Sequence, residues 1–195
     1  MDVDPVGVAD NSDAEHSRLN ARVAITVALL ATFMGVCKVK DDNIVQAMQQ
    51  AQADKIDHWD FYQARNIRQD VAQSTVTTLT IQRRSAAAAD RPAIDSSLAR
   101  FQALVKDQAT KKDSLRLQAE EDQRTYDSLN YRDDQFDLSD TLLALAISLL
   151  AVTALTRKEW LFWIAMVPTA LGAFMGLAGL VGWHIHPDSI SRLLS

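Results

Sequence analysis

Three stretches of this chain carry almost no charge: Val23 to Cys37, Leu138 to Leu155 and Trp160 to Trp183. A polar stretch of about a hundred residues separates the first from the second. Eighteen or more apolar residues in a row read as a candidate membrane-crossing helix. The second and third stretches meet that length, and the 24 residues of the third span with some tilt. The 15 residues of the first reach only about 22 Å as a helix, short of a hydrocarbon layer of roughly 30 Å. Arg22, Lys38 and Lys40 flank it, and such side chains lay their stems along apolar surface while the charge reaches water. The acidic stretch before it (Asp2, Asp4, Asp10, Asp13, Glu15) and the lack of a clean small-residue cleavage site favour an uncleaved anchor over a signal peptide. Only TRKE, residues 156–159, separates the second and third stretches, which predicts a tight hairpin of two membrane helices. Trp160, Trp163 and Trp183 stand near the ends of the third, where indole rings prefer the interface. Gly172, Gly176, Gly179 and Gly182 recur along it at steps of three or four, the pattern that lets a neighbouring helix approach closely.

The polar middle also has a period. Counting forward from the first turn after Pro92 in steps of four and three gives Ile94, Leu98, Phe101, Val105, Gln108, Lys112, Leu115, Ala119, Asp122, Tyr126, Leu129, Asp133 and Phe136. Nine of these thirteen positions are apolar, a sustained 3.5-residue repeat of the kind that packs one helix along another. The partner is the stretch from Asp41 to about Ala88. On a helical projection Ile56, Ile67 and Val71 fall within about 60° of one another, which predicts the face turned towards the second arm, with Trp59 beside it and Tyr62 at its edge. Phe61, Arg65 and Arg68 fall on the far side. The β-branched run STVTTLTI, residues 74–81, is the weakest helical segment and a place for a break.

These patterns predict an all-α membrane protein: three transmembrane helices with a long antiparallel, coiled-coil-like helical hairpin between the first and the second. Its parts are an acidic disordered tail (1–20), a first membrane helix (21–39), an extramembrane hairpin (40–137, arms about 41–88 and 92–137), a second membrane helix (138–155), a third (160–183) and a C-terminal tail (184–195).

Composition narrows the function. A net charge of −5 argues against a general nucleic-acid binder, which needs a basic face for phosphates. One cysteine, Cys37, excludes an intrachain disulfide and a multi-cysteine zinc site. The polar middle holds no glycine and one proline, which favours long helices over a sheet with many turns. No phosphate-binding glycine loop, nucleophile elbow or HExxH motif occurs, so nothing makes a positive case for an enzyme or a cofactor.

The segment HWDFYQARNIR, residues 58–68, concentrates a histidine, three aromatics and two arginines. No nucleophile or metal set accompanies His58, so packing and assembly through Trp59, Phe61, Tyr62, Arg65 and Ile67 is the favoured reading. Binding of an anion by Arg65 and Arg68 is the rival. With the membrane anchor before it and the apolar pair after it, this segment resembles the W-x-[FY]-Y-Q-A-[KR]-x-[IL] motif of a bacterial membrane-protein family known as domain of unknown function 4337. Trp59, Phe61, Tyr62, Gln63, Ala64, Arg65 and Ile67 match it, with arginine where lysine is commoner. The resemblance covers the chain beyond about residue 18 and implies a multi-pass bacterial inner-membrane protein with no established activity.

Three function classes follow. The leading one is a non-enzymatic, self-associating scaffold or stalk, a homo-oligomer in the lipid bilayer with Gly172, Gly176 and Gly179 as packing positions and another membrane protein as a further partner. The second is a small pore or an accessory subunit of a transport complex, disfavoured because the spans hold no ionisable residue in their interiors. The third is a metal or ligand sensor using His184, His186 and Asp188, a weak alternation of ligand types just past the last span. Arg157 and Lys158 in the short loop place that loop in the cytoplasm and the helical hairpin in the periplasm.

Overall fold

The computed structural model describes residues 5–183, with side chains described from residue 17. The regular structure of these residues consists of three helices: α1 (Pro5–Ser85), α2 (Arg91–Thr156) and α3 (Glu159–Val181). All three are long and apolar enough to cross a membrane, by length and composition. The chain divides into two compact units. An arm unit comprises Ala47–Asp127; a bundle unit comprises the residues up to Gln46 and those from Ser128. Helix α1 begins at Pro5, within the acidic stretch expected to be disordered. The tail from residue 184, with His184, His186 and Asp188, lies outside the described residues.

In the arm unit α1 and α2 pack closely. Ten positions of α1 turn inwards: Met48, Ala51, Lys55, His58, Tyr62, Arg65, Gln69, Ala72, Val76 and Leu79. They alternate in steps of three and four, as a helix does when it follows a neighbour along its length. On α2, the ten positions of the predicted seam that lie in this unit, Ile94 to Tyr126, are buried or half-buried, as are the last three, Leu129, Asp133 and Phe136, in the bundle unit. The predicted face of α1 is the wrong one. Ile56, Ile67 and Val71 are 51%, 62% and 62% exposed, while Arg65 and Tyr62 face inwards. The reason lies in size and reach. Ala51 and Ala72 on the inward line are almost fully buried, so the helix backbones come close there. The long polar chains between them reach across to partners on α2. The three β-branched residues offer neither.

Helix α1 runs unbroken through residues 74–81. The hydroxyls of Thr75, Thr77, Thr78 and Thr80 each donate to the carbonyl four residues back, at 2.7–3.1 Å. That bond keeps the hydroxyl within the helix and removes the competing local turn that usually lowers threonine's propensity. Residues 86–90 connect α1 to α2. Across this link Arg83 binds the Asp95 carboxylate through both Nε and NH2, and the guanidinium holds that carboxyl below its ordinary range.

In the bundle unit the core gathers Leu19, Val23 and Leu30 of α1, Leu143, Ala146 and Leu150 of α2, and Ala165 of α3. Two residues, not four, separate α2 from α3. Arg157 adopts the left-handed conformation (φ 56°) and its N–H donates to the Thr153 carbonyl at 2.8 Å, closing α2. Lys158 is extended and starts α3, whose first turn carries Glu159, a favourable sign for a helix N-terminus. Gly182 closes α3 with φ 79°, a conformation that costs a side chain more than it costs glycine.

Candidate functional site

Two constellations of polar side chains stand out, one in each unit. In the arm unit the inward line of α1 carries Lys55, His58, Tyr62, Arg65 and Gln69 between its apolar ends. Lys55 Nζ donates to Gln123 Oε1 at 2.7 Å, and His58 Nδ1 lies 2.6 Å from Asp122 Oδ2. Further along, Arg65 NH1 donates to Gln108 Oε1 at 3.2 Å and Lys112 Nζ to Asn66 Oδ1 at 3.1 Å. The Lys112 ammonium also lies 5.8 Å from the centre of the Tyr62 ring, close enough for a cation–π attraction. Trp59 is half-buried and meets Tyr62 edge to face, with ring centres 5.2 Å apart. The segment 58–68 is therefore mostly seam: His58, Tyr62 and Arg65 reach across it, and Phe61, Ile67 and Arg68 point outwards.

Paired polar groups inside a helix contact contribute little net stability. They penalise any slip of register, which would leave them desolvated without partners. Arg65→Ala tests this arrangement. Gln108 is buried and Arg65 donates to its carbonyl oxygen. The substitution is expected to destabilise the arm unit by about 1–3 kcal/mol, the usual penalty for an orphaned buried group, read as a lowered midpoint in thermal unfolding followed by circular dichroism. Arg68→Ala, on the exposed face, is the control and is expected to leave the midpoint unchanged.

The second constellation lies in the bundle unit, just before the apolar stretch of α2. Asp41 of α1 is only 4% exposed. Its Oδ2 accepts a bond from Lys38 Nζ at 2.9 Å, while its Oδ1 is buried with no hydrogen-bond partner. Asp133 of α2 lies within hydrogen-bonding reach of Asp41. Its carboxyl is pushed up to about 6, first by burial, then by the Asp41 contact and the charges of Asp137, Asp41 and Asp134. Asp137 is also raised, by burial and by Asp41, against the opposing pull of Lys38. A cavity of about 20 Å³, lined by Asp41, Asp137, Ser139 and Asp140 together with Met34, Cys37, Lys38 and Phe136, adjoins the group. It has room for about one water molecule. Arg132 is directed elsewhere, its NH2 donating to the Gly179 carbonyl at 2.9 Å.

Sequence reasoning places Asp133 on the α2 seam but does not pair it with Asp41. One signal was available: Asp41 falls between Cys37 and Ile44 in steps of four and three, on the same buried line of α1. Among the described residues, no group of three or more His, Cys, Asp or Glu side chains has the arrangement to hold a metal ion.

The glycines of α3 form the third notable feature. Gly172, Gly176 and Gly179 are buried with Ala165, Pro168, Met175 and Ala178. A Cβ at Gly172 would stand 2.9 Å from Leu143 Cγ, and one at Gly179 would stand 3.0 Å from the Phe136 ring. At Gly176 it would meet Ser139 Oγ at 2.7 Å and the Phe33 ring at 2.8 Å. Ser139 in turn donates to the Gly172 carbonyl at 2.8 Å. The glycine line thus receives side chains of α1 and α2 from this same chain.

A family described as a domain of unknown function (DUF4337) matches residues 19–182. No curated protein and no solved structure matches the chain. The matched region takes in the glycine line, the polar seam and the acidic pair.

Proposed function

The chain belongs to the DUF4337 family, and we propose that it is a non-enzymatic, multi-pass protein of the bacterial inner membrane that self-associates as a scaffold or stalk. The observation that carries the membrane reading is the outward face of the bundle unit. Ile25, Leu29, Val36, Leu145, Leu155, Val167, Leu171 and Leu177 are all largely exposed there, around a core of close-packed leucines and alanines. Water would disfavour so much contiguous apolar surface, whereas lipid chains cover it without penalty. The bundle unit therefore crosses the bilayer three times.

In this reading the arm unit is an antiparallel helical hairpin outside the membrane. Its contacts support that direction: residues 55, 58, 65 and 83 of α1 bond to residues 123, 122, 108 and 95 of α2, ascending on one helix and descending on the other. Self-association uses the outward apolar positions of the arm, Ile56, Phe61, Ile67 and Val71, which are largely exposed among the described residues. The hairpin lies in the periplasm, with Arg157 and Lys158 retained in the cytoplasm by the usual bias of short basic loops.

Three measurements test this together. The protein is expected to stay in the membrane fraction through alkaline carbonate extraction. Reporter fusions after Ala88 and after Lys158 are expected to give periplasmic and cytoplasmic activity respectively. Release by carbonate removes the membrane reading, and the opposite pair of reporter signals reverses the orientation. Crosslinking in native membranes that yields only monomer removes the self-association.

A further inference from the structure

We propose that Asp133 carries a proton and donates it in a hydrogen bond to the buried, unpartnered oxygen of Asp41, a contact that binds α1 to α2 in the bundle unit. The geometry requires a donor. Asp41 is more than nine-tenths buried, Lys38 occupies one of its oxygens, and the other is enclosed with nothing donating to it. The neighbour within reach is a second carboxyl, and an ionised carboxylate accepts only. Asp133 meets the need in one form, protonated, with its O–H donating to Asp41 Oδ1. Taking up one proton from solvent changes the charge of the pair from two negatives to one, which the Lys38 ammonium then balances.

The surrounding charges favour that form. From α1, Lys38 is the cation bonded to Asp41, and Asp42 lies 3.5 Å from the same ammonium. From α2, Asp134, Asp137 and Asp140 add negative charge near it. The guanidinium of Arg132 is bonded to the end of α3 instead. Helix α3 contributes no ionisable side chain at this end; its single charged residue, Glu159, belongs to the first turn. Cys37 lines the adjoining cavity, which borders Asp41 and Asp137 and has room for about one water molecule. His184, His186 and Asp188 follow α3 outside the described residues, so the test removes the two imidazoles. The pair needs no bilayer to exist, and a failure of the membrane reading leaves it standing.

Burial and like charge raise the carboxyl in the folded state above its unfolded value, so the folded chain binds more protons between about pH 4 and about pH 6. Stability from the pair is therefore fully present below about pH 4 and is lost as pH rises through about 6. Above that range two carboxylates face each other across the α1–α2 contact and loosen it.

Infrared difference spectroscopy on the full chain in mild detergent and in phosphatidylcholine vesicles reads the proton directly. In a His184→Gln/His186→Gln background, a protonated-carboxyl carbonyl band is expected to disappear with a midpoint at about pH 6. Asp133→Asn should abolish that band and keep the fold, because its amide donates to Asp41 as the acid does. Asp41→Asn should move the midpoint down towards the ordinary aspartate range of about 4. Thermal stability of the parent should fall between about pH 4 and about pH 7, and that of Asp133→Asn should fall less over the same range, Asp137 being raised as well. The proposal is overturned if no carboxyl titrates above about pH 5, or if the band survives Asp133→Asn and vanishes in Asp137→Asn. Should Asp41→Asn fail to fold, the Asp133→Asn spectrum alone decides.

Discussion

Gly176→Leu is expected to disrupt the bundle unit, while Gly35→Ala, in the same unit, is expected to leave it intact or strengthen it slightly. At Gly176 even the first carbon of a side chain would lie 2.7 Å from Ser139 Oγ and 2.8 Å from two atoms of the Phe33 ring. Atoms at that distance must move, and neither neighbour moves freely. Ser139 is buried and its hydroxyl is bonded to the Gly172 carbonyl; Phe33 packs against the core. Overpacking of this kind costs about 1–3 kcal/mol for small additions, and a leucine adds three carbons beyond the Cβ. Gly176→Leu should therefore lower the unfolding midpoint in detergent well below that of the parent, or prevent accumulation of the folded protein. At Gly35 a Cβ would meet nothing within 4 Å, and alanine is the better helix former by about 1 kcal/mol. If Gly176→Leu melts like the parent, the close approach of the three helices at that point is wrong.

Leu143→Ala should have an effect of similar size from the opposite cause. Leu143 is fully buried, belongs to the core with Leu150 and Ala146, and is the side chain that fills the space left by Gly172. Truncation leaves a cavity between α2 and α3 that these backbones relax into only partly. The expected loss is about 2–5 kcal/mol, measured as a shift of the unfolding midpoint. The two substitutions are also expected to interact. Gly172→Ala places its new carbon 2.9 Å from Leu143 Cγ, so the double variant Gly172→Ala/Leu143→Ala should be more stable than the two separate losses predict. Strict additivity would mean that Leu143 does not face Gly172.

The sequence carried the helical content and the apolar stretches, because both follow from local composition and spacing. It carried the α2 seam as well: a 3.5-residue repeat marked by Ile94, Leu98, Phe101, Val105 and Leu115 needs no knowledge of the partner. The matching face of α1 was not legible. Its buried line runs through Lys55, His58, Tyr62, Arg65 and Gln69, residue types that a hydrophobic pattern assigns to solvent, while Ile56, Ile67 and Val71 occupy the open side. Polar side chains count as interior only once their partners are known, and Gln123, Asp122 and Gln108 lie 43 to 68 residues away along the chain.

The same limit applies to the sites. The glycine line was visible as a spacing, since a stripe without side chains implies close approach whatever fills it. That Phe33, Ser139, Leu143 and Phe136 fill it, all from this chain, depends on three helices meeting. The run of aspartates at residues 133–140 was visible as charge, but its pairing with Asp41 was not. Local composition and periodicity determined the elements and the apolar stretches of this protein. Which face of α1 is inside, what occupies the glycine line and why Asp133 meets Asp41 were decided by contacts between residues far apart in the chain, because burial and hydrogen bonding depend on neighbours in space.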